Sequence, residues 1–238
     1  MPEAPAPEID SLAKAYRRWR SSPLGRITDR LEQALLIELA GAASGKMLLD
    51  VGCGDGALAI AFAGRGALVT GIDADPEMLA LARARSIEHS APMHLLLGRV
   101  EQLPFADGQF DIVLASALLC LVPDRRRAVA EMVRVLKPGG RLVIGELGAL
   151  SLWSLIRRAR GLFGAKRWRD AYFHTAAELR RIMADAGLQT PEIRGSIYYP
   201  PLAYAARLMA PIDQWLGGRM LFGAAFLVAA AVKPTLDR

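Results

Sequence analysis

The chain has 238 residues, of which 53% are apolar and 23% charged. That length and composition suit one domain around one core and set aside a disordered polymer or a disulfide scaffold. The net charge of +6 permits attraction to phosphate backbones or anionic lipid, yet the arginines are spread along the chain with one denser stretch, so a solvated basic surface is the plainer reading.

The first ten residues, MPEAPAPEID, are proline-rich and acidic with no apolar centre. They read as a flexible tail rather than a secretory signal, and the expected location is cytoplasmic. A single domain is expected over residues 11–238. Apolar residues recur at helical spacing through Leu12, Tyr16 and Trp19, then through Leu31, Leu35, Leu36 and Leu39, giving two leading helices broken at Ser21–Gly25. Short apolar runs follow at Lys46–Val51, Ala67–Ile72, Met93–Leu97, Phe110–Ala115 and Arg141–Glu146, and these read as buried strands. Helical stretches at Ala57–Gly64, Pro76–Arg85 and Asp124–Leu136 separate them, with Pro76 and Gly139 suited to a helix start and end. A further helix at Ala176–Ala186, capped by Gly187, precedes strands near Glu192–Ile197 and Gly223–Val232. This alternation predicts an α/β fold, a parallel sheet with helices on both faces.

The longest uncharged apolar run, Met220–Val232, is shorter than the ~20 residues that cross a bilayer as a helix, so no transmembrane segment is expected. Cys53 and Cys120 are too few for a thiolate metal site; both are read as reduced, and no metal is expected.

The residues that carry chemistry begin with LDVGCGDGALAIA, where Gly52, Gly54 and Gly56 stand between the first strand and the first helix of the sheet. Glycines there allow a sharp turn and let a ligand approach the main chain. The segment also fits the G-x-G-x-x-G/A fingerprint of dinucleotide enzymes. Asp73 ends the second strand, where a carboxylate can accept hydrogen bonds from both hydroxyls of an adenosine ribose. The structural alternative is that Asp73 caps the helix opening at Pro76.

Four segments, LLDVGCGDG, GIDADPEML, GRVEQLPFADGQFDIVLA and RVLKPGGRLVIGE, together resemble the class I S-adenosylmethionine-dependent methyltransferases. Within that class they look like the small-molecule group with a type 11 domain, which includes ubiquinone-biosynthesis enzymes. The resemblance runs in order from Lys46 to Glu146, and a dinucleotide enzyme has no reason to carry LPFADGQFDIV or LKPGG. It implies a Rossmann-like seven-stranded sheet of order 3-2-1-4-5-7-6, with the last strand antiparallel. The implied cofactor is S-adenosylmethionine, leaving as S-adenosylhomocysteine, over the carboxyl ends of strands 1, 2 and 4. Carried over by position, Gly52, Cys53 and Gly54 would line the methionine and ribose, with Asp50 supporting the loop. Asp73 would bind the ribose hydroxyls, Ala74 and Met78 would pack on the adenine, Val100 and Glu101 would sit at its edge, and Ser116 beneath the methionine part. One departure is Arg99, where the family often has an aspartate that accepts from the adenine amino group; a cation cannot accept that bond.

Methyl transfer from a sulfonium needs alignment and exclusion of water more than a catalytic side chain. His174, in DAYFHTAAEL, is the candidate base; the alternative is that His174 or Thr175 simply helps start the next helix. No Asn/Asp-Pro-Pro-aromatic sequence follows the fourth strand, Cys120 is not preceded by proline, and only two cysteines exist. Exocyclic-nitrogen, cytosine-carbon and arsenic methylation are therefore disfavoured. Three helical segments, at about 11–41, 148–173 and 198–218, are expected to roof an apolar pocket over the cofactor methyl. The second, rich in Arg157, Arg158, Arg160, Lys166, Arg167 and Arg169 between apolar residues, also has the pattern of a basic amphipathic helix that rests on anionic membrane. The expected activity is methylation of a small apolar, quinone-like or lipid-like acceptor. A silent cofactor-binding subunit and an RNA methyltransferase are the competing readings, the latter needing basic and aromatic residues interleaved as they are only around Trp168.

Overall fold

The computed structural model describes residues 12–163 and 165–235; the expected tail lies outside them. Two helices lead, α1 (Leu12–Ser21) and α2 (Pro23–Ala40). Then come β1 (Met47–Val51), α3 (Ala57–Ala63), β2 (Leu68–Asp73), α4 (Pro76–Glu88), β3 (His94–Leu97), β4 (Phe110–Ser116), α5 (Arg125–Val135) and β5 (Leu136–Leu147). The chain continues through α6 (Leu152–Leu162), α7 (Lys166–Asp170), α8 (Ala176–Asp185), β6 (Glu192–Ser196), α9 (Ala203–Gly217) and β7 (Phe226–Val232).

The strands form one sheet in the order β3-β2-β1-β4-β5-β7-β6. β1 runs parallel to β2 and β4, while β7 runs antiparallel to both β5 and β6. Successive residues of each strand point to opposite faces, and the core divides accordingly. Leu49, Val113, Ala115, Leu142, Ile144 and Leu227 pack with α5 and α8 on one face. Leu48, Ile112, Leu114, Val143 and Val228 pack with α2 and α3 on the other.

Three local outcomes differ from the sequence reading. The break between the leading helices shrinks to Ser22, because its hydroxyl accepts the Gly25 N–H at 3.0 Å and Pro23 opens α2 at its first position. Proline there starts a helix rather than ending one. β5 begins at Leu136, five residues early: Phe110 pairs with Leu136 and Ile112 with Arg141, so the intervening residues bulge out of the ladder. Finally, α9 lies along α2 and β6, a placement that its amphipathic pattern alone does not give. Asp213 explains its placement, since its buried carboxylate accepts the Ser196 hydroxyl at 2.5 Å and the N–H groups of Ile197 and Tyr198 at 3.0 Å each. Those bonds hold Ile197 in the left-handed region (φ 66°) and turn the chain so that Tyr199 enters the core.

Candidate cofactor and acceptor site

The carboxyl ends of β1, β2 and β4 meet at the loop after β1. The N–H groups of Gly52 and Cys53 both donate to the Ile72 carbonyl, at 2.8 and 3.1 Å, which pins the loop to the end of β2. Gly52 has φ +70°, and a Cβ there would stand 2.7 Å from Leu118 Cδ1. Gly54 has φ +54° and open space where its Cβ would project, so a ligand can reach the main chain at that point. Cys53 beside it is buried, and burial first, then Asp50, pushes its thiol well above the usual range. It is an inert packing residue rather than a nucleophile.

Asp73 is held by this loop. One carboxylate oxygen accepts the Gly54 N–H at 2.8 Å and the other the Asp75 N–H at 2.9 Å. Each oxygen keeps a second lone pair for a hydroxyl donor. The capping alternative is answered by the neighbour, because Asp75 is the residue that caps α4, accepting the Glu77 N–H at 2.8 Å. Asp50 is 2% exposed and its Oδ2 has no hydrogen-bond partner among the described residues. Burial, then the charges of Asp73 and Asp55, raise it to about 7. An orphaned carboxyl oxygen beside a cradle open at Gly54 fits an adenosyl amino acid, which carries ribose hydroxyls at one end and an ammonium at the other.

The remaining positions named from the sequence flank this edge. The Gly98 N–H donates to the Asp73 carbonyl at 2.9 Å, drawing the loop after β3 alongside. Val100 and Met78 are buried there. Ala74 is exposed, and Glu101, half-buried, pairs with Arg99 at 3.1 Å. That pair disposes of the Arg99 charge at the surface. Ser116 ends β4, half-buried, followed by Ala117 at φ 51°.

His174 lies beside the end of β5. It is fully enclosed behind the ends of β4 and β5, its Nδ1 3.7 Å from Glu146 Oε2, and neither ring nitrogen has a hydrogen-bond partner among the described residues. Burial lowers it to about 4, so the ring is neutral. Tyr172 packs edge-on against it at 4.8 Å. Glu146 accepts the N–H groups of Leu119 and Cys120 at 2.6 and 3.1 Å, and burial raises it to about 7. Thr175 starts α8 through a reciprocal capping box with Glu178. The segment before it lines, with α8, a cavity of about 430 Å³ walled by Arg158, Leu162, Trp168, Tyr172 and Glu178.

What sequence reasoning missed is the fastening of the leading helices over the glycine loop. Arg20 at the end of α1 binds Asp55 of that loop at 2.7 Å and Asp29 of α2 at 2.6 Å, and Arg85 of α4 adds a second contact to Asp55 at 3.0 Å. Trp153 of α6 donates its indole N–H to the Tyr199 carbonyl at 2.7 Å, while the Tyr199 hydroxyl meets Thr28 of α2 at 3.0 Å. Four elements distant in the chain are thus fastened to one another, and one of them to the glycine loop. One signal was available: Glu32 is a carboxylate on the apolar, helically spaced stripe of α2.

The comparisons with known proteins agree with this geometry. Residues 49–144 match a family described as a methyltransferase domain. The chain is 33% identical over 232 residues to a ubiquinone biosynthesis O-methyltransferase of Thiobacillus denitrificans, covering 90% of this chain and 95% of that protein. It is 35% identical over 208 residues to one from Xanthomonas euvesicatoria, covering 81% and 84%. Among solved structures, a methyltransferase of Thermotoga maritima superposes with a TM-score of 0.71 at 22% identity, covering 92% of this chain and 95% of that one. The magnesium protoporphyrin IX methyltransferase of Synechocystis, solved with S-adenosylhomocysteine bound, superposes with a TM-score of 0.62 at 19% identity, covering 96% and 90%. At those identities the structures bear on the fold, which is that of the class I methyltransferases. The chain belongs to the S-adenosylmethionine-dependent methyltransferases with a type 11 domain. It is an enzyme, and S-adenosylmethionine is its cofactor.

Proposed function

We propose that this enzyme methylates a hydroxyl oxygen of a small apolar acceptor of phenolic or quinone-like character. The observation that carries the reading is the extent of the likeness to ubiquinone biosynthesis O-methyltransferases. It covers 95% of one such protein and so continues past residues 49–144, into the helices that cover the site. Those covering elements are fastened to the domain through apolar and aromatic packing: Trp153 and Tyr199 meet at 6.4 Å in the core, with Leu24 and Ile27 packed against the same cluster.

In this reading Gly52, Cys53 and Gly54 receive the methionine part, with its ammonium toward Asp50, and Asp73 accepts the ribose hydroxyls. Ala74, Met78, Val100 and Glu101 border the adenine, and Ser116 lies beneath the methionine. S-adenosylmethionine supplies an electrophilic methyl group on a sulfonium, whose departure as a neutral thioether needs no acid. The chain's own task is to align the acceptor oxygen with that methyl and keep water out. The complete enclosure of His174 supports a part in bracing the ends of β4 and β5 rather than contact with acceptor.

The test is transfer of labelled methyl from S-adenosylmethionine to 4-octylcatechol, to a long-chain phenol and to an apolar amine of similar size. Label on oxygen of the first two is expected. Label on the amine alone, or on none of the three, refutes the reading.

A second reading, peripheral contact with a membrane that would deliver such an acceptor, is favoured by the outer surface. Leu155, Leu162 and Phe163 of the α6 region are exposed beside Arg158 and Arg160, and Tyr204, Leu208, Ile212 and Trp215 form an exposed stripe on α9. No helix among the described residues is long and apolar enough to cross a membrane. Co-sedimentation with anionic but not neutral vesicles is the expected result; equal recovery with and without anionic lipid refutes it.

A further inference from the structure

β4 and β5 end side by side, and after β4 the chain turns in a conformation that few side chains favour. Ala117 stands in the left-handed region at φ 51°, where a residue other than glycine is strained. Its N–H donates to the Gly145 carbonyl at 2.8 Å, and its carbonyl accepts the Cys120 thiol at 3.1 Å. Glu146 completes the turn. Fully buried, it accepts the Leu119 N–H at 2.6 Å through Oε1 and the Cys120 N–H at 3.1 Å through Oε2. A carboxylate hidden from water loses solvation that such bonds must replace.

The turn carries Leu118. Its side chain lies so close against Gly52 of the glycine loop that a Cβ there would stand 2.7 Å from Leu118 Cδ1. The same turn receives the covering segment, because the Tyr172 N–H donates to the Cys120 carbonyl at 2.9 Å. Glu146 thus holds a turn that touches the cofactor loop on one side and the segment before α8 on the other. The titratable and charged groups around Glu146 come from every element packed there. His174 on that segment has Nδ1 3.7 Å from Glu146 Oε2, and neither ring nitrogen has a hydrogen-bond partner among the described residues. Cys120 lies on the turn itself. Farther out, Arg125 of α5 and Glu178 of α8 act on His174, and Arg157 of α6 acts on Cys120.

We propose that Glu146 is a positioning residue for the methyl donor, holding the turn after β4 so that Leu118 closes over Gly52, and that a proton taken up by Glu146 loosens that hold. The inference rests on the placement of S-adenosylmethionine at Gly52–Gly54 given above and is independent of the acceptor. Ionised, Glu146 accepts both N–H groups. When it takes a proton from solvent the new O–H must donate, and the lone pair in reach is Nδ1 of neutral His174. That bond draws Oε2 away from Cys120 and leaves its N–H without a charged acceptor. Burial raises Glu146 to about 7, so both states occur near neutral pH, while His174, lowered to about 4 by burial, stays neutral. The donor should therefore bind more weakly as pH falls through about 7.

Calorimetric titration of S-adenosylhomocysteine into the unaltered protein, Glu146→Gln, Leu118→Ala and the double variant, from about pH 5.5 to about pH 8.5, tests this. Glu146→Gln keeps the shape but offers a single oxygen to the two N–H groups. It should bind about tenfold more weakly than the unaltered protein at pH ~8.5 and within about twofold of it at pH ~5.5. Asp50, also raised to about 7, and the ligand's own titrating groups are common to both proteins, so the ratio of affinities isolates Glu146. Leu118→Ala should weaken binding about three- to tenfold, and adding Glu146→Gln to it should cost less than about twofold more. A ratio constant with pH, or effects that multiply in full in the double variant, overturns the role and leaves Glu146 a purely structural group. If Glu146→Gln does not fold, the unaltered protein against Leu118→Ala decides: their affinities should converge at low pH, and parallel curves overturn the proposal. Asp73→Ala, titrated alongside, separates the premises. No loss of affinity there removes the donor's placement, whereas a loss there with a constant Glu146 ratio removes the positioning role alone.

Discussion

The two halves of the site are built in opposite ways. The cofactor edge is assembled from residues close in sequence: Gly52 to Gly54 hang from Ile72 and Asp73 through three backbone N–H groups, and Asp75 caps the helix two residues further on. The covering side is assembled from residues far apart, with Arg20 reaching Asp55, Thr28 reaching Tyr199, and Trp153 reaching the same tyrosine's carbonyl. The first half is local turn geometry repeated across a family. The second is packing, and its chemistry exists only once α1, α2, α6 and the turn after β6 have docked.

If that contrast is right, damage to one half should spare the other. The largest effect is expected from Trp153→Ala, which empties a site 6% exposed and removes the bond to Tyr199. Large-to-small changes of an aromatic core residue cost about 3–5 kcal/mol, read as a fall in the urea midpoint. At a urea-free temperature where the variant remains folded, S-adenosylhomocysteine affinity should be unchanged while acceptor turnover falls. A matching loss of cofactor affinity would show that the halves are not separable.

Next in size is Asp73→Ala, the converse lesion. Losing hydrogen bonds to a charged acceptor should weaken S-adenosylhomocysteine binding by about 1–3 kcal/mol, or roughly 5- to 150-fold, in calorimetry. The thermal midpoint of the cofactor-free protein should move little, because Asp73 touches only the loop and its own turn. An unchanged affinity would remove Asp73 from the site.

The smallest effect sharpens the covering half through pH. Glu32 is raised in the folded state, so between about pH 4.5 and about 8 the native protein holds a proton that the unfolded chain has released. The carboxyl group therefore lowers stability as pH rises through that window and adds no further change above it. Asp50 and Glu146, each raised to about 7, act in the same direction, while His174, lowered to about 4, acts oppositely below its ordinary value. Those three are common to both proteins, so Glu32→Gln isolates the single group. Its stability relative to the unaltered protein should improve by about 1–2 kcal/mol between pH ~5 and pH ~8.5, after discounting for the solvent that reaches this half-buried side chain. A constant difference across that range would place Glu32 in ordinary solvent.

How much could be read in advance divides along the same line. The strand and helix alternation, the sheet order implied by family resemblance, and the positions of Gly52, Gly54 and Asp73 were all legible. Each depends on a few consecutive residues whose backbone needs admit few side chains. The start of β5 was not, because a bulge after Leu136 depends on which residue of β4 stands opposite. Nor was α9, whose amphipathic pattern says that it packs but not upon what; Asp213, seated under the turn after β6, makes that choice.

Sequence by itself determined the glycine turn after β1 and the carboxylate that ends β2, since each depends on a few consecutive residues. Only the tertiary structure decided the covering side. Thr28 and Trp153 carry no signal of a partner until both are seen to bond Tyr199, and the reason is physical: a contact between distant elements is a property of surfaces that meet, and no stretch of chain contains both of its walls.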